Sequence, residues 1–153
     1  MALDINEQYD KIYRFCYLRV SNRETAEDLT QGTFLRYLEH PQYHNIDKTL
    51  QLLYTIARNL CNDEFRRKKF EELPEDTLVD ENIEDTVLTN YSLKEALDKL
   101  SDEDREIILL RYVNEVPLNV IAGIYSVSRF ALNRRIKKIL GYLHNYIGKE
   151  DLL

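Results

Sequence analysis

Between Ser128 and Leu140 stand five basic residues and no acidic one. Arg129, Asn133 and Lys137 recur at i, i+4 and i+8, so on a helix they share one face, with Arg134 and Lys138 beside them. Arginine pairs bidentately with guanine, asparagine with adenine, and lysine with phosphate, so these residue types suit a duplex-reading surface. The plainer reading of the same pattern is a solvated cationic helix face on a three-helix bundle.

A second basic cluster closes the stretch from Leu50 to Lys69, where Arg58, Arg66, Arg67, Lys68 and Lys69 lie on or near one side. Tyr43, Tyr54, Phe65 and Phe70 lie in or beside it. Cations with aromatic faces suit single-stranded nucleic acid, because any base can stack; the alternative is that the aromatics at helical spacing are core. A third constellation, Ala26-Glu27-Asp28-Leu29-Thr30-Gln31, puts its polar members on one face of an amphipathic helix and on its own means only an exposed helix.

Catalytic patterns are missing. His40 and His44 are four apart, but Pro41 between them spoils a helical pair, and nothing completes a zinc site. His144 is alone. There is no phosphate-cradling glycine loop, no Glu-x-x-His pair and no nucleophile elbow, so neither an enzyme nor a metal or cofactor is expected. Cys16 and Cys61 read as small core residues of a reduced cytosolic protein.

The elements that must position these residues all read as helices. Gly is 4 and Pro is 3 in 153 residues, too few for the turns of an all-β domain. Ile5, Tyr9, Ile12, Tyr13, Cys16 and Tyr17 predict a first helix. Ser21 to Glu24 is a capping-box signature for a second, with Ala26, Leu29, Phe34, Leu35 and Leu38 as its apolar residues and His40-Pro41 as its end. Asp47 is expected to cap a third, which buries Leu52, Leu53, Ile56, Ala57, Leu60 and Phe65. Further on, a short helix runs through Leu93, Ala96, Leu97 and Leu100. Ser101 caps another, with Ile107, Ile108, Leu110 and Arg111. Pro117 suits the first turn of a third, with Val120, Ile121 and Ile124 on its apolar side. After a break at Tyr125-Ser126-Val127, Ser128 caps a last helix through Leu132, Ile136, Ile139, Leu140, Leu143 and Ile147. Pro117 to Leu140 is therefore a helix-turn-helix.

The fold class expected is all-α, in two small helical domains, 1–70 and 91–153, joined by an acidic linker over 71–90. The formal net charge of −6 divides unevenly. Residues 1–70 carry 11 basic and 10 acidic groups, 71–90 carry eight acids and no base, and 91–153 carry 10 basic and 9 acidic groups. The excess acid thus lies in the linker, and each module is slightly basic. No apolar run is long enough to span a membrane, and the N-terminus lacks the layout of a signal peptide.

In this order and spacing the motifs resemble the sigma-70 family, specifically the short extracytoplasmic-function (ECF) sigma factors of bacterial RNA polymerase. The resemblance rests on Ala26-Glu27-Asp28-Leu29-Thr30-Gln31 with Phe34-Leu35, and on Leu53-Tyr54-Thr55-Ile56-Ala57-Arg58-Asn59-Leu60 followed by Asp63 and Arg66-Arg67. It continues in Leu97 to Ser101, Arg105 to Tyr112, and the helix-turn-helix. It implies a non-catalytic cytoplasmic protein with region 2 over 1–70 and region 4 over 91–153.

By that resemblance, Asp28, Leu29, Gln31 and Phe34 dock on core RNA polymerase. Asn59, Asn62, Asp63, Arg66 and Arg67 face the minus-ten strand, and the loop from His40 to Lys48, with Tyr43, meets a flipped base. Arg129, Phe130, Asn133, Arg134, Lys137 and Lys138 read minus-thirty-five duplex. An anti-sigma factor is a further partner by analogy. The chain departs from the family's pattern at Gly32, where a Glu on the docking face is usual, at Leu52, at Gly123, at Ser126 in the turn, and at Phe130.

Two other classes fit parts of the pattern. A dimeric helix-turn-helix regulator predicts palindromic duplex binding by the protein alone. A helical, sigma-like interaction module without melting activity would have no use for Tyr54, Asn59 and Arg66.

Overall fold

The computed structural model describes residues 4–40, 45–71 and 91–151, and every element in them is helical. The described helices fall into two compact units, α1 to α3 and α4 to α7. Nearly all of the segment expected as linker, 72–90, and the loop residues 41–44 with Tyr43 lie outside the described residues. Glu71, expected as the start of the linker, is the last residue of a helix.

In the first unit, α1 (Ile5–Val20) begins at Asp4, whose side chain accepts from the Glu7 N–H at 3.2 Å. It buries Ile12, Phe15, Cys16, Tyr17 and Val20, while Ile5 is exposed. α2 (Arg23–Glu39) is capped by Asn22, which accepts from the Thr25 N–H at 2.9 Å. The Ser21 capping box is therefore corrected. Only two residues separate the helices, and Ser21 is used to close α1 in the left-handed region at φ 55°, its N–H on the Tyr17 carbonyl.

Of the apolar residues named for α2, only Ala26 is fully buried. Ala26, Thr30, Thr33 and Tyr37 face inward, while Leu35 and Leu38 are 64% and 65% exposed. Threonine serves in the core because each hydroxyl donates to a carbonyl one turn back, Thr30 to Ala26 and Thr33 to Leu29, both at 2.7 Å. α2 ends at Glu39, with His40 extended after it.

α3 (Ile46–Glu71) packs on α1 and α2. Its first N–H groups are met by Asn45, which accepts from Asp47 at 2.8 Å and Lys48 at 3.4 Å, so Asn45 and not Asp47 is the cap. Leu53, Tyr54, Ile56, Ala57 and Cys61 are buried, and Tyr54 sits edge-on to Phe15 with centroids 5.8 Å apart. Phe65, expected in the same stripe, is 41% exposed. Cys16 and Cys61 are free, fully buried thiols; their mutual contact holds the Cys16 thiol below its ordinary pKa.

In the second unit, α4 (Tyr91–Asp98) packs on α7 (Arg129–Asp151) through Ala96, Ile139 and Leu143, with Leu97, Leu100 and Ile108 against them. Arg105 closes the end of α4 by donating to the carbonyls of Leu97 at 3.1 Å and Leu100 at 3.2 Å. Ser101 caps α5 (Asp102–Ile108), which runs into a π-helical turn, Leu109–Val113. Pro117 lies one position before α6 (Leu118–Ile124), as its cap and not in its first turn; its carbonyl accepts from Val120 and Ile121. Val120, Ile121 and Ile124 are buried, as are Leu132, Ile136, Ile139 and Leu143 on α7, whereas Leu140 is partly exposed.

Candidate nucleic-acid interfaces

The turn that sets α7 against α6 is built by Ser126 and Ser128. Ser126 takes φ 55°, the backbone state that glycine favours, and Val127 N–H returns to the Ala122 carbonyl at 3.0 Å. Ser128 Oγ then accepts from the Ala131 N–H at 3.0 Å and starts α7. The Tyr125 hydroxyl donates to the buried Glu106 carboxylate, tying the turn to α5.

With its buried stripe inward, α7 turns Arg129, Phe130, Asn133, Arg134, Lys137 and Lys138 outward, and all six are exposed. Phe130 and Arg134 fall opposite the buried stripe, at the centre of the outward face, with Arg129 and Lys138 at its flanks. The Arg134 guanidinium lies over the Phe130 ring, 5.0 Å from its centroid. Arg135, the fifth base of the segment, does not join this face. It donates to Asp104 and Glu103, each at 2.7 Å. Burial works against its charge, but the bonds to Glu103 and Asp104 outweigh that and raise its pKa.

On α3, Asn59, Asp63 and Arg66 are exposed and Asn62 is half-buried. Asp63 and Arg66 form an ion pair, and Arg67 pairs with Glu64 at 2.8 Å, so part of the cationic end is neutralised within the helix. Asn62 is oriented from another helix: Arg19 Nη2 on α1 donates to its Oδ1 at 2.9 Å. The same guanidinium lies 5.0 Å from the centroid of Phe65 and 6.0 Å from that of Phe15. Nothing in the sequence marks Arg19 as a site residue, because Asn62 and Phe65 are remote from it in the chain. Tyr54 is buried and unavailable for stacking.

The outer face of α2 carries Glu27, Asp28 and Gln31, all exposed, with Leu35 and Leu38 on later turns. Leu29 and Phe34 are half-buried, and Phe34 stacks on Tyr9 with centroids 5.4 Å apart. A Cβ at Gly32 would meet Leu60 Cδ1 at 3.5 Å, so this position points toward α3 and not onto the outer face where a missing charge was expected. The sequence reading named Leu35 and Leu38 only as apolar residues of this helix, without placing them on its outer face.

Among the described residues, no group of three or more His, Cys, Asp or Glu could hold a metal ion, and no helix is long and apolar enough to cross a membrane.

The family model for sigma-70 region 2 matches residues 5–71, and that for sigma-70 region 4 matches residues 96–144. The ECF RNA polymerase sigma factor BldN of Streptomyces coelicolor is 37% identical over 139 residues, covering 82% of this chain. This chain spans 52% of that relative's length, about half. SigW of Bacillus subtilis, also an ECF RNA polymerase sigma factor, is 27% identical over 88% of this chain and 82% of its own length. A solved structure of the sigma factor RpoE in complex with the anti-sigma factor NepR from Bartonella quintana aligns with TM-score 0.64 at 21% identity. It covers 94% of this chain and 92% of that one, a likeness that shows the fold.

Proposed function

The chain belongs to the sigma-70 family, and from that footing we propose that it is an ECF-type sigma factor, a cytoplasmic and non-catalytic bacterial subunit that directs core RNA polymerase to promoters. Residues 1–70 act as region 2 and 91–153 as region 4, with the acidic stretch 71–90 as the tether between them. The observation that supports this best is the pairing of two different nucleic-acid faces in one chain. One is an asparagine-bearing helix, α3, and the other is a cationic helix-turn-helix.

The two faces suit the two states of promoter DNA. The outward side of α7 presents two arginines, two lysines, an asparagine and a phenyl ring, which suits a major groove. The basic residues supply salt-dependent affinity for phosphate, and the arginines and Asn133 supply base contacts. On α3, Asn59, Asn62, Asp63, Arg66 and Arg67 offer polar groups to the minus-ten strand. Capturing unpaired bases there offsets the cost of unpairing. α2 docks on core polymerase through Asp28, Leu29, Gln31 and Phe34, extended by Leu35 and Leu38. An anti-sigma partner, as in the Bartonella complex, is part of the same proposal.

Transcription from genomic fragments by core polymerase, with and without this protein, tests the reading. Promoter-dependent transcripts are expected only with the protein present. Their absence from every fragment, together with tight palindromic duplex binding by the protein alone, would replace this reading with that of a dimeric helix-turn-helix regulator.

A further inference from the structure

Phe130 is 71% exposed, more than any other large apolar residue among those described. It occupies the first turn of α7, opposite the stripe of Leu132, Ile136 and Ile139, so packing gives no reason for a ring there. Its contact is with Arg134, one turn on, whose guanidinium stands 5.0 Å from the ring centroid. A cation over an aromatic face is attracted to it, and the contact restricts an otherwise freely rotating arginine.

We propose that Phe130 and Arg134 form one composite reader of minus-thirty-five duplex, taking a thymine and a guanine within about two base pairs of each other. This deepens the sigma-factor reading and rests on it. Arg134 supplies the planar fork that guanine O6 and N7 accept. Phe130 does two things. Its face holds the fork in place, and its edge offers an apolar surface to the C5-methyl of thymine, the one apolar mark in the major groove. The spacing follows from geometry. Four residues advance about 6 Å along a helix, and the bases of one strand rise about 3.4 Å per step, so the pair spans about two steps. Arg129, Asn133, Lys137 and Lys138 remain for the neighbouring bases and the phosphates. Phe130 is thus a specificity-determining and positioning residue, and Arg134 reads the base.

The test uses holoenzyme assembled from the full chain and core polymerase. Promoter fragments randomised in the minus-thirty-five element are first selected for binding. The selected thymine is then replaced by deoxyuridine, which lacks only the methyl, and the selected guanine by 7-deazaguanine, which lacks the N7 acceptor. The thymine change should weaken binding about fourfold, the factor that one buried methyl group gives. The guanine change should weaken it about tenfold. Phe130→Ala should abolish the first effect and shrink the second. Phe130→Leu, which keeps an apolar surface but loses the ring, should retain the first and shrink the second. Phe130→Tyr should preserve both.

Selection of an element with no guanine and thymine within two base pairs overturns the proposal while leaving the parent reading standing. So does a Phe130→Ala holoenzyme that keeps both effects. Failure of wild-type holoenzyme to select any element removes the parent reading and this proposal together.

Discussion

The Arg135 guanidinium reaches from α7 back to the first turn of α5, where Nε donates to Asp104 Oδ1 at 2.7 Å. Its Nη1 donates to Glu103 at the same distance, so one side chain joins two helices of the second unit. Arg134, next in sequence, projects outward. Adjacent arginines therefore do different work, and substitution separates them. Arg135→Ala should destabilise the second unit by about 1 kcal/mol, a charged hydrogen-bond pair discounted for its partial exposure. Hydrogen exchange of α5 and α7 amides measures this. Arg134→Ala should leave exchange unchanged and weaken minus-thirty-five binding by about 1–3 kcal/mol.

The flanking cations should behave as phosphate contacts. Lys138→Ala is expected to weaken binding of all promoters about equally and to lower the slope of log affinity against log salt by about 1. A titration of holoenzyme on two unrelated minus-thirty-five elements, at four salt concentrations, checks both statements. A loss confined to one element would make Lys138 a base contact.

Asn62 is a directional group. With Oδ1 accepting from Arg19 at 2.9 Å, its amide NH2 is the group that would donate to the minus-ten strand under the proposed function. Asn62→Asp keeps the contact with Arg19 but replaces the donor by an acceptor. Open-complex formation, followed by permanganate reactivity of minus-ten thymines, should fall about tenfold, the factor that about 1.4 kcal/mol gives. Helix content should be unchanged. Arg19→Ala should produce a similar defect from a residue that is not itself on the outer face of α3.

Leu35 and Leu38 are exposed on α2 at 64% and 65%. Replacing both by Ser should leave the fold intact and weaken assembly with core polymerase by at least tenfold, because burying each leucine contributes about 1.5–3 kcal/mol. Competition with labelled wild-type protein for core polymerase gives the number. Unchanged competition would place the docking face elsewhere.

Gly32 lies inside α2, where glycine costs about 1 kcal/mol relative to alanine. The added methyl would meet Leu60 at an ordinary contact distance of 3.5 Å. Gly32→Ala should therefore stabilise the first unit by about 0.5–1 kcal/mol, read as slower exchange of the α2 amides.

Much of the helical order was legible because leucine, isoleucine and serine caps signal directly: Leu132, Ile136, Ile139 and Leu143, with Ser128 ahead of them, fell where their spacing put them. What failed followed rules that local pattern does not carry. Leucines at 35 and 38 look like core, and threonines at 30 and 33 look like surface, until the hydroxyls are seen bonded within their own helix. Asn22 and Asn45 took caps expected of Ser21 and Asp47, because neighbouring candidates compete and the connecting backbone decides between them. Of the expected site residues, the six on α7 share one outward face, and Tyr43 lies outside the described residues. Arg19 gave no local signal, since its role exists only once α1 and α3 are packed together.

The threonine seam of α2 bears on how long the chain survives between partners. Thr30 and Thr33 contribute less apolar area to the core than leucines would, so part of what α2 would otherwise gain from burial is left for a partner to supply. A partner that covers Leu35 and Leu38 fastens that same helix. Binding and resistance to unfolding then become a single linked quantity, set by the amount of free partner relative to its dissociation constant. On this account the supply of partner would govern the lifetime of the chain, and proteolysis would remove whatever is left unassembled.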